Sequence, residues 1–430
     1  MRYFGTDGIR GRAYETLTES LAIKVGKSLS LIDSELVIIG YDTRQSNHML
    51  ANGIALGALS VNKKVIDVGV IPTPGIAFNS IKKHCIGIMI TASHNPYQDN
   101  GIKIFYDGLK LDNELQQRIE DYIDEASDEV NVSLNLVKND LSLVKRYEKF
   151  LLNIAYNTDL KIVLDTANGA TYQVADNVFS KITNNLIVVA NTPNGININE
   201  NVGSTHIDNL VKEVLKHKAN IGFSFDGDGD RMLVVDELGN VHTGDEIIYV
   251  LAKNKKEKKA LLNNSVVLTI MSNLGIISSL KDNNIDVVTT SVGDINVLEE
   301  MLKNNYVLGG ENSGHLIQLE YLPTGDGILA AISLLNVLIE ENKKLSELTN
   351  NIKIYPDRLD NLKVKDKSVI KNQQVIDLVN NYKKQYEDIQ LVVRASGTED
   401  LVRVSCCYKD LNTMNEIVDN VVNLIKSLDK

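Results

Sequence analysis

Three things are scarce in this sequence. No apolar run approaches the ~20 residues that a membrane-spanning helix needs; the longest, such as Ile221–Phe225 and Val266–Met271, are strand-sized. Cysteines number three (Cys85, Cys406 and Cys407), two of them adjacent, which makes no disulfide framework. Cations are outnumbered, 45 Lys plus Arg against 56 Asp plus Glu, for a net charge of −11. The first absence excludes a helical membrane protein and the second a disulfide-stapled secreted domain. The third argues against a general binder of nucleic acid or anionic membrane, so any anionic ligand must be met by locally placed arginines and backbone amides. The amino-terminal stretch Met1-Arg2-Tyr3-Phe4-Gly5-Thr6-Asp7-Gly8 lacks the apolar core of a signal peptide. The expected location is a reducing cytoplasm.

What is present is an ordinary globular composition, 43% hydrophobic and 23% charged over 430 residues, enough for two to four domains. Short apolar runs alternate with amphipathic stretches. Val37-Ile38-Ile39-Gly40 leads into Tyr41-Asp42-Thr43-Arg44, Lys161–Leu164 into Asp165-Thr166-Ala167-Asn168-Gly169, and Val266–Ile270 into Met271–Gly275. Each reads as a buried strand ending in a polar turn before a helical pattern. Three such starts, a little over 100 residues apart, predict three related α/β units with mixed or parallel sheets. The polar stretch Asp124–Asp140 reads as a link after the first, and Lys253–Lys259 as a basic but solvated surface run. From about Pro356 the character changes: a helix over Val369–Tyr386, a strand at Leu391–Val393 and a final amphipathic helix predict a smaller α+β domain. The expected divisions are 1–142, 143–247, 248–355 and 356–430.

Four segments carry chemistry. In Asp226-Gly227-Asp228-Gly229-Asp230-Arg231 alternate carboxylates can converge on one hard cation. An EF-hand calcium loop is disfavoured by Arg231 at its sixth position and by strand-like flanks; a solvated acidic turn is the plain alternative. In Thr91-Ala92-Ser93-His94-Asn95-Pro96, Ser93 ends a buried run where a nucleophilic hydroxyl would sit, although a turn capped by His94 reads equally well. The absence of a Gly-x-Ser-x-Gly pattern disfavours esterase chemistry. Lys103, ten residues on in a strand pattern, would ordinarily be a solvated edge residue. Gly309-Gly310-Glu311-Asn312-Ser313-Gly314-His315 offers groups suited to a polyhydroxylated ligand. Arg394-Ala395-Ser396-Gly397-Thr398-Glu399, with Arg403 beyond, has the makings of an oxyanion cradle, without the lysine of a Walker A loop. Arg10, in Phe4–Gly11, and Arg44, in Asp42–Ser46, fit the same theme, although a surface ion pair is the commoner fate of such arginines.

In this order the segments resemble the α-D-phosphohexomutases over essentially the whole chain. The serine loop followed by Asp99-Asn100-Gly101-Ile102-Lys103 is the most specific part. Pro193-Asn194-Gly195-Ile196-Asn197-Ile198-Asn199 with Gly203-Ser204-Thr205-His206 resembles the phosphoglucosamine branch. The resemblance implies four domains around a central cleft, the first three of related topology. It implies that Ser93 is a phosphoserine, that Asp226, Asp228 and Asp230 hold Mg²⁺ with it, and that Lys103 and His315 transfer protons. Arg10 and Arg231 would support the transferring group, Glu311 and Ser313 would bind sugar hydroxyls, and Arg394, Ser396, Gly397, Thr398 and Arg403 the non-reacting phosphate. The implied activity is interconversion of glucosamine 6-phosphate and glucosamine 1-phosphate through a 1,6-bisphosphate, feeding UDP-N-acetylglucosamine and cell-wall synthesis. A hexose 1,6-bisphosphate would prime the enzyme, the partner would be a small sugar phosphate, with no nucleic acid or membrane, and a homodimer is allowed. The same chemistry on mannose or glucose phosphates, a phosphatase, and a catalytically silent sugar-phosphate binder are the rivals. One departure is Asp400, which stands where the family has Pro.

Overall fold

The computed structural model describes residues 2–5, 7–396 and 401–429. Its framework is a set of short strands that are apolar on both faces. In Leu36–Tyr41 all but the first residue are buried, and in Ile86–Ile90, Ile162–Asp165, Ile221–Phe225 and Ser265–Thr269 every residue is. Strands of this kind need helices over both faces, and they pair in parallel.

Three sheets repeat one arrangement. Leu36–Tyr41 lies between Lys64–Val70 and Ile86–Ile90, all parallel, and Asp99–Tyr106 joins Ile86–Ile90 antiparallel. Ile162–Asp165 lies between Leu186–Val189 and Ile221–Phe225 in the same way, with Met232–Asp236 antiparallel. Ser265–Thr269 lies between Asp286–Thr290 and Leu308–Gly310, with Leu316–Gln318 antiparallel. The fourth strand reverses in each unit because a short loop, with no crossover helix, joins it to the third. The expected repeat of pattern is thus a repeat of topology. The first sheet is extended by Phe4–Gly5 and Gly8–Arg12 on one side and Lys138–Asn139 on the other.

The second and third units share one continuous core, threaded by the helices Gly244–Glu257 and Gly327–Glu341. The expected division after residue 247 falls inside the first of these helices. Thr243 and Glu246 form a capping box at its start, so the break in secondary structure comes before Gly244. The Lys253–Lys259 run closes this helix as surface: Lys255 pairs with Glu320, Lys258 with Glu340, and Lys256 donates to the carbonyls of Asn283 and Asn284. The last sheet stands apart, antiparallel, in the order Asp357–Lys363, Leu401–Cys407, Gln390–Ala395, with its own core against Leu411–Leu428. The helix expected over 369–386 is interrupted at Asn372, whose side chain accepts from the Gln374 amide and caps Gln373–Gln385. Among the described residues, no helix is long and apolar enough to cross a membrane, and all three cysteines are free and buried.

In the first unit the helices Glu19–Ser28 and Asn47–Ser60 touch backbone to backbone through Gly26, Gly53 and Gly57. A Cβ on Gly57 would run into the Ile23 carbonyl. Alanine is normally the better helix former, by about 1 kcal/mol, but overpacking here costs about 1–3 kcal/mol. Gly57→Ala is therefore expected to lower the thermal unfolding midpoint; an unchanged or raised midpoint would show that the helices can move apart at no cost.

Candidate active site

Each of the three units presents a loop to the site at the same place, between its third strand and the antiparallel fourth. These loops are residues 91–98, 226–231 and 311–315. They lie at the carboxyl ends of parallel strands, where open α/β sheets gather ligands.

Ser93 adopts a left-handed backbone, φ +52°, a conformation that costs a residue with a side chain roughly 1–2 kcal/mol. The loop is held by a clamp. Arg44 donates through Nε to Asp42 Oδ2 (2.9 Å), through Nη1 to the carbonyls of Pro96 and Asp99, and through Nη2 to those of Ser93 (3.0 Å) and Asn95 (2.8 Å). All five guanidinium N–H groups are thereby used, and the side chain is fully buried. The expected surface ion pair is corrected: Arg44 is an internal tie for the serine loop. Thr91 Oγ1 donates to Asp42 Oδ2 and accepts from the Ser93 amide. From the second unit, Asn199 Nδ2 donates to the carbonyls of Ser93 (2.9 Å) and Asn95 (3.1 Å). Gly227 packs so closely on the Ser93 carbonyl that a Cβ there would collide with it. The result places Ser93 Oγ 2.7 Å from Asp226 Oδ2, to which it donates.

The carboxylates of Asp226, Asp228 and Asp230 offer ligand atoms within 4.8 Å of one another, and all three residues are buried. Three anions so close cannot stand uncompensated. Lys103 Nζ meets Asp228 Oδ2 at 2.8 Å, Asp230 Oδ2 at 3.1 Å and Asp7 Oδ2 at 2.9 Å. Only 2% exposed, Lys103 is an interior cation, and the expectation of a solvated edge lysine is corrected. Burial favours the neutral amine, but Asp228, Asp230 and Asp7 outweigh it and hold its pKa well above the usual value. Asp226 is pushed well up by burial and then by Asp230 and Asp228, whereas Lys103, His315 and Arg231 overcome burial and hold Asp230 well down. The Oδ1 atoms of Asp228 and Asp230 are buried without a hydrogen-bond partner. Unpartnered anionic oxygens beside Asp226 are a donor set that fits a hard divalent cation.

The third loop completes the cluster. His315 is buried, its Nδ1 3.8 Å from Asp230 Oδ2, and its Nε2 accepts the Gly325 N–H at 3.1 Å. A neutral His315 therefore carries its proton on Nδ1, facing Asp230. Against burial, Asp230, then Asp294 and Glu311, raise its pKa. Glu311 accepts from the Gly293 amide and, at 3.5 Å, from Ser313 Oγ. Arg231 lies 3.9 Å from Asp230 and 3.4 Å from His94 Nδ1, and Arg10 reaches Asp7 at 2.7 Å. His94, on the serine loop, is driven down to about 4 by burial, Arg231 and Arg10, and its Nδ1 lies 3.4 Å from Ser93 Oγ. It is a neutral neighbour of the serine more than a cap of the turn.

Ser93, Lys103, Asp226, Asp228, Asp230, Arg231 and His315 thus converge, with Arg10 joined through Asp7 and with Glu311 and Ser313 on the His315 loop. Arg394, Ser396 and Arg403 belong to the C-terminal sheet. There Arg394 and Arg403 stand directly opposite on adjacent strands, and burial, then Arg403, lowers the pKa of Arg394. Like charges in register repel, a repulsion that a bound anion would relieve. Gly397, Thr398 and Asp400 lie outside the described residues. Sequence reasoning missed Asp7 and Asn199, although both lie in segments it singled out. Their signal was a polar side chain inside a Gly-rich turn, which names no partner.

Electrostatic repulsion among the three aspartates gives a direct test. Asp226→Asn is expected to unfold, without divalent cation, at the same or a higher temperature than the unaltered chain. It should also lose any rise in midpoint that a divalent cation, probed with Mg²⁺, gives the unaltered chain. A variant that keeps the full Mg²⁺-dependent rise would contradict the donor set described above.

Comparison with known proteins agrees with this geometry. The family models for phosphoglucomutase/phosphomannomutase match alpha/beta/alpha domain I over residues 1–130, domain II over 143–239 and domain III over 243–355. A protein of Fusobacterium nucleatum named phosphoglucosamine mutase is 42% identical over 448 residues, covering 99% of both chains. One of Bacillus subtilis with the same name is 42% identical over 441 residues, covering 99% of this chain and 98% of that one. Among solved structures, a phosphoglucomutase/phosphomannomutase family protein of Burkholderia thailandensis superposes with a TM-score of 0.83 at 21% identity, over 98% of this chain and 97% of that one. An N-acetylphosphoglucosamine mutase of Aspergillus fumigatus, solved with GlcNAc-6P and magnesium, gives 0.71 at 16%, over 100% and 96%. By three matched domains and full-length identity near two residues in five, the chain belongs to the phosphoglucomutase/phosphomannomutase family.

Proposed function

We propose that this chain interconverts glucosamine 6-phosphate and glucosamine 1-phosphate, with Ser93 as the phosphoryl carrier. The observation that carries the reading is the 2.7 Å contact of Ser93 Oγ with Asp226, inside a buried group of three aspartates. The amino-sugar substrate is supported by the relatives of Fusobacterium nucleatum and Bacillus subtilis, both named phosphoglucosamine mutase.

In the forward direction the phosphoryl group leaves Ser93 Oγ as its bond to O1 of the sugar forms, giving a 1,6-bisphosphate. The bisphosphate turns over in the site, the P–O6 bond breaks, and Ser93 Oγ regains a phosphoryl group. A hexose 1,6-bisphosphate primes any chain that has lost its phosphate. Such a transfer asks the protein mainly for positioning and charge stabilisation. Arg44 and Asn199 provide the positioning by donating to the carbonyls of Ser93 and Asn95. Asp226, Asp228 and Asp230 would hold Mg²⁺, which when bound supplies positive charge at the phosphoryl oxygens. Arg231 and Arg10 add fixed cationic charge around the same point, and Lys103, held as an ammonium, stands ready to give a proton. The proton leaving O1 and the proton needed at O6 are handled by Lys103 and His315. Glu311 and Ser313 receive the sugar hydroxyls. Arg394 and Arg403, with Ser396, Gly397 and Thr398, grip the phosphate that is not reacting. A chain with three free, buried thiols suits the reducing cytoplasm in which this substrate would be met.

Specificity constants for glucosamine 6-phosphate and mannose 6-phosphate test the substrate. We expect a preference for the amino sugar of at least ~10-fold, with no stoichiometric release of inorganic phosphate. Equal constants would overturn the assignment of substrate, and stoichiometric phosphate release would identify a phosphatase.

A further inference from the structure

Lys110 has no place in the transfer described above, yet it is half-buried against two carboxylates. It lies on the short strand Leu109–Lys110, the return of the hairpin whose other arm, Asp99–Tyr106, carries Lys103. Its ammonium meets Asp7 Oδ1 at 2.6 Å and Asp294 Oδ2 at 2.5 Å, with its side chain 15% exposed. Asp294 is the first residue of the helix Asp294–Asn304 in the third unit, where a carboxylate is favoured by the helix dipole.

These two contacts close a ring. Asp7 joins Lys103 (2.9 Å), Lys103 joins Asp230 (3.1 Å), Asp230 faces His315 (3.8 Å), His315 faces Asp294 (3.7 Å), and Lys110 returns from Asp294 to Asp7. Acidic and basic side chains alternate around it. Asp7, Lys103 and Lys110 come from the first unit, Asp230 from the second, and Asp294 and His315 from the third. Lys103 and His315 both face Asp230 Oδ2. Within the ring, the side from Asp7 through Lys110 to Asp294 joins the first unit to the third without passing through Asp230. An apolar cavity of about 140 Å³, walled by Leu109, Leu111, Ile295 and Leu298, lies against the Lys110–Asp294 pair. With side chains 15% and 20% exposed, the pair is screened less than a surface pair would be.

We infer that Lys110 is a positioning residue for the proposed phosphoryl transfer. By bridging Asp7 to Asp294 it fixes the seam between the first and third units, and with it the placement of Lys103 relative to His315. Among the described residues its ion pairs are with Asp7 and Asp294 and not with Asp226, Asp228 or Asp230. The inference rests on the reading of function above, so its test includes a readout that does not need that reading.

The experiment compares Lys110→Met, Lys110→Arg and the double variant Lys110→Met with Asp294→Asn. The double variant removes the carboxylate that the single change leaves without its cation, and so keeps a folded protein in the comparison. With glucosamine 6-phosphate, kcat of Lys110→Met and of the double variant is expected to fall by about 10²-fold, as misplacement of about an ångström would produce, with KM nearly unchanged. Lys110→Arg, which keeps a cation between the carboxylates, should recover most of the loss. Wild-type kcat in the double variant, or a Lys110→Arg as slow as Lys110→Met, overturns the inference. Independently of any substrate, amide hydrogen exchange in residues 291–298 and 311–315 should quicken in Lys110→Met and return toward normal in Lys110→Arg. Unchanged exchange in Lys110→Met overturns the inference even if the unaltered chain proves inactive on this sugar.

Discussion

Three carboxylates buried within 4.8 Å of one another are the constraint on which this site depends. Left alone they would protonate or force the loop open, since mutual repulsion in a poorly solvated setting is worth several kcal/mol. The fold answers with cations delivered from a different unit. Lys103 comes from the first sheet, 125 and 127 residues away in sequence from the two aspartates it contacts. The same electrostatic demand therefore draws the first two units together and aims Ser93 at Asp226. It also leaves two anionic oxygens, on Asp228 and Asp230, without a hydrogen-bond partner, the latter 3.9 Å from Arg231 Nε. The site is compensated in part by protein and in part by whatever cation those oxygens hold.

Topology makes the convergence cheap to repeat. Each α/β unit ends its parallel set with a strand that turns back on itself, and the turn is where a loop can carry unusual backbone without disturbing a helix. Used three times, the device supplies a serine with its clamp, a carboxylate group, and a histidine with a glutamate. The C-terminal sheet uses a related hairpin, Gln390–Ala395 to Leu401–Cys407, to set Arg394 against Arg403. Four hairpins thus give four kinds of chemistry, and the helices behind them serve mainly to bury the strands.

Much of this was legible in the sequence. Apolar runs ending in polar turns located the central strands, and alternation of Asp with Gly located the acidic loop. What could not be read was which charges were internal. Lys103 and Arg44 have the composition of surface residues, and their burial follows only from partners distant in sequence or from carbonyls that carry no sequence signal. Arg44 is the clearest instance: four of its five contacts are to backbone oxygens, which any residue type would supply. Asn199 lies in a recognisable segment, but its grip on the serine loop depends on two units meeting. The division expected at residue 247 lies in the first turn of the helix Gly244–Glu257, whose start is marked by the Thr243–Glu246 capping box.

The net charge of −11 also gains a local meaning. Within the site, acids and bases are interleaved closely enough that most charges meet an opposite one, so anion binding is set by a few arginines against an unfavourable background. The central claim is that the serine held against Asp226 carries a phosphoryl group. Intact mass spectrometry, after incubation with a hexose 1,6-bisphosphate and removal of the excess, measures this directly. The account predicts a single phosphate-sized increment on the unaltered chain and none on Ser93→Ala. An increment of equal size on Ser93→Ala, or its absence from both, would contradict it.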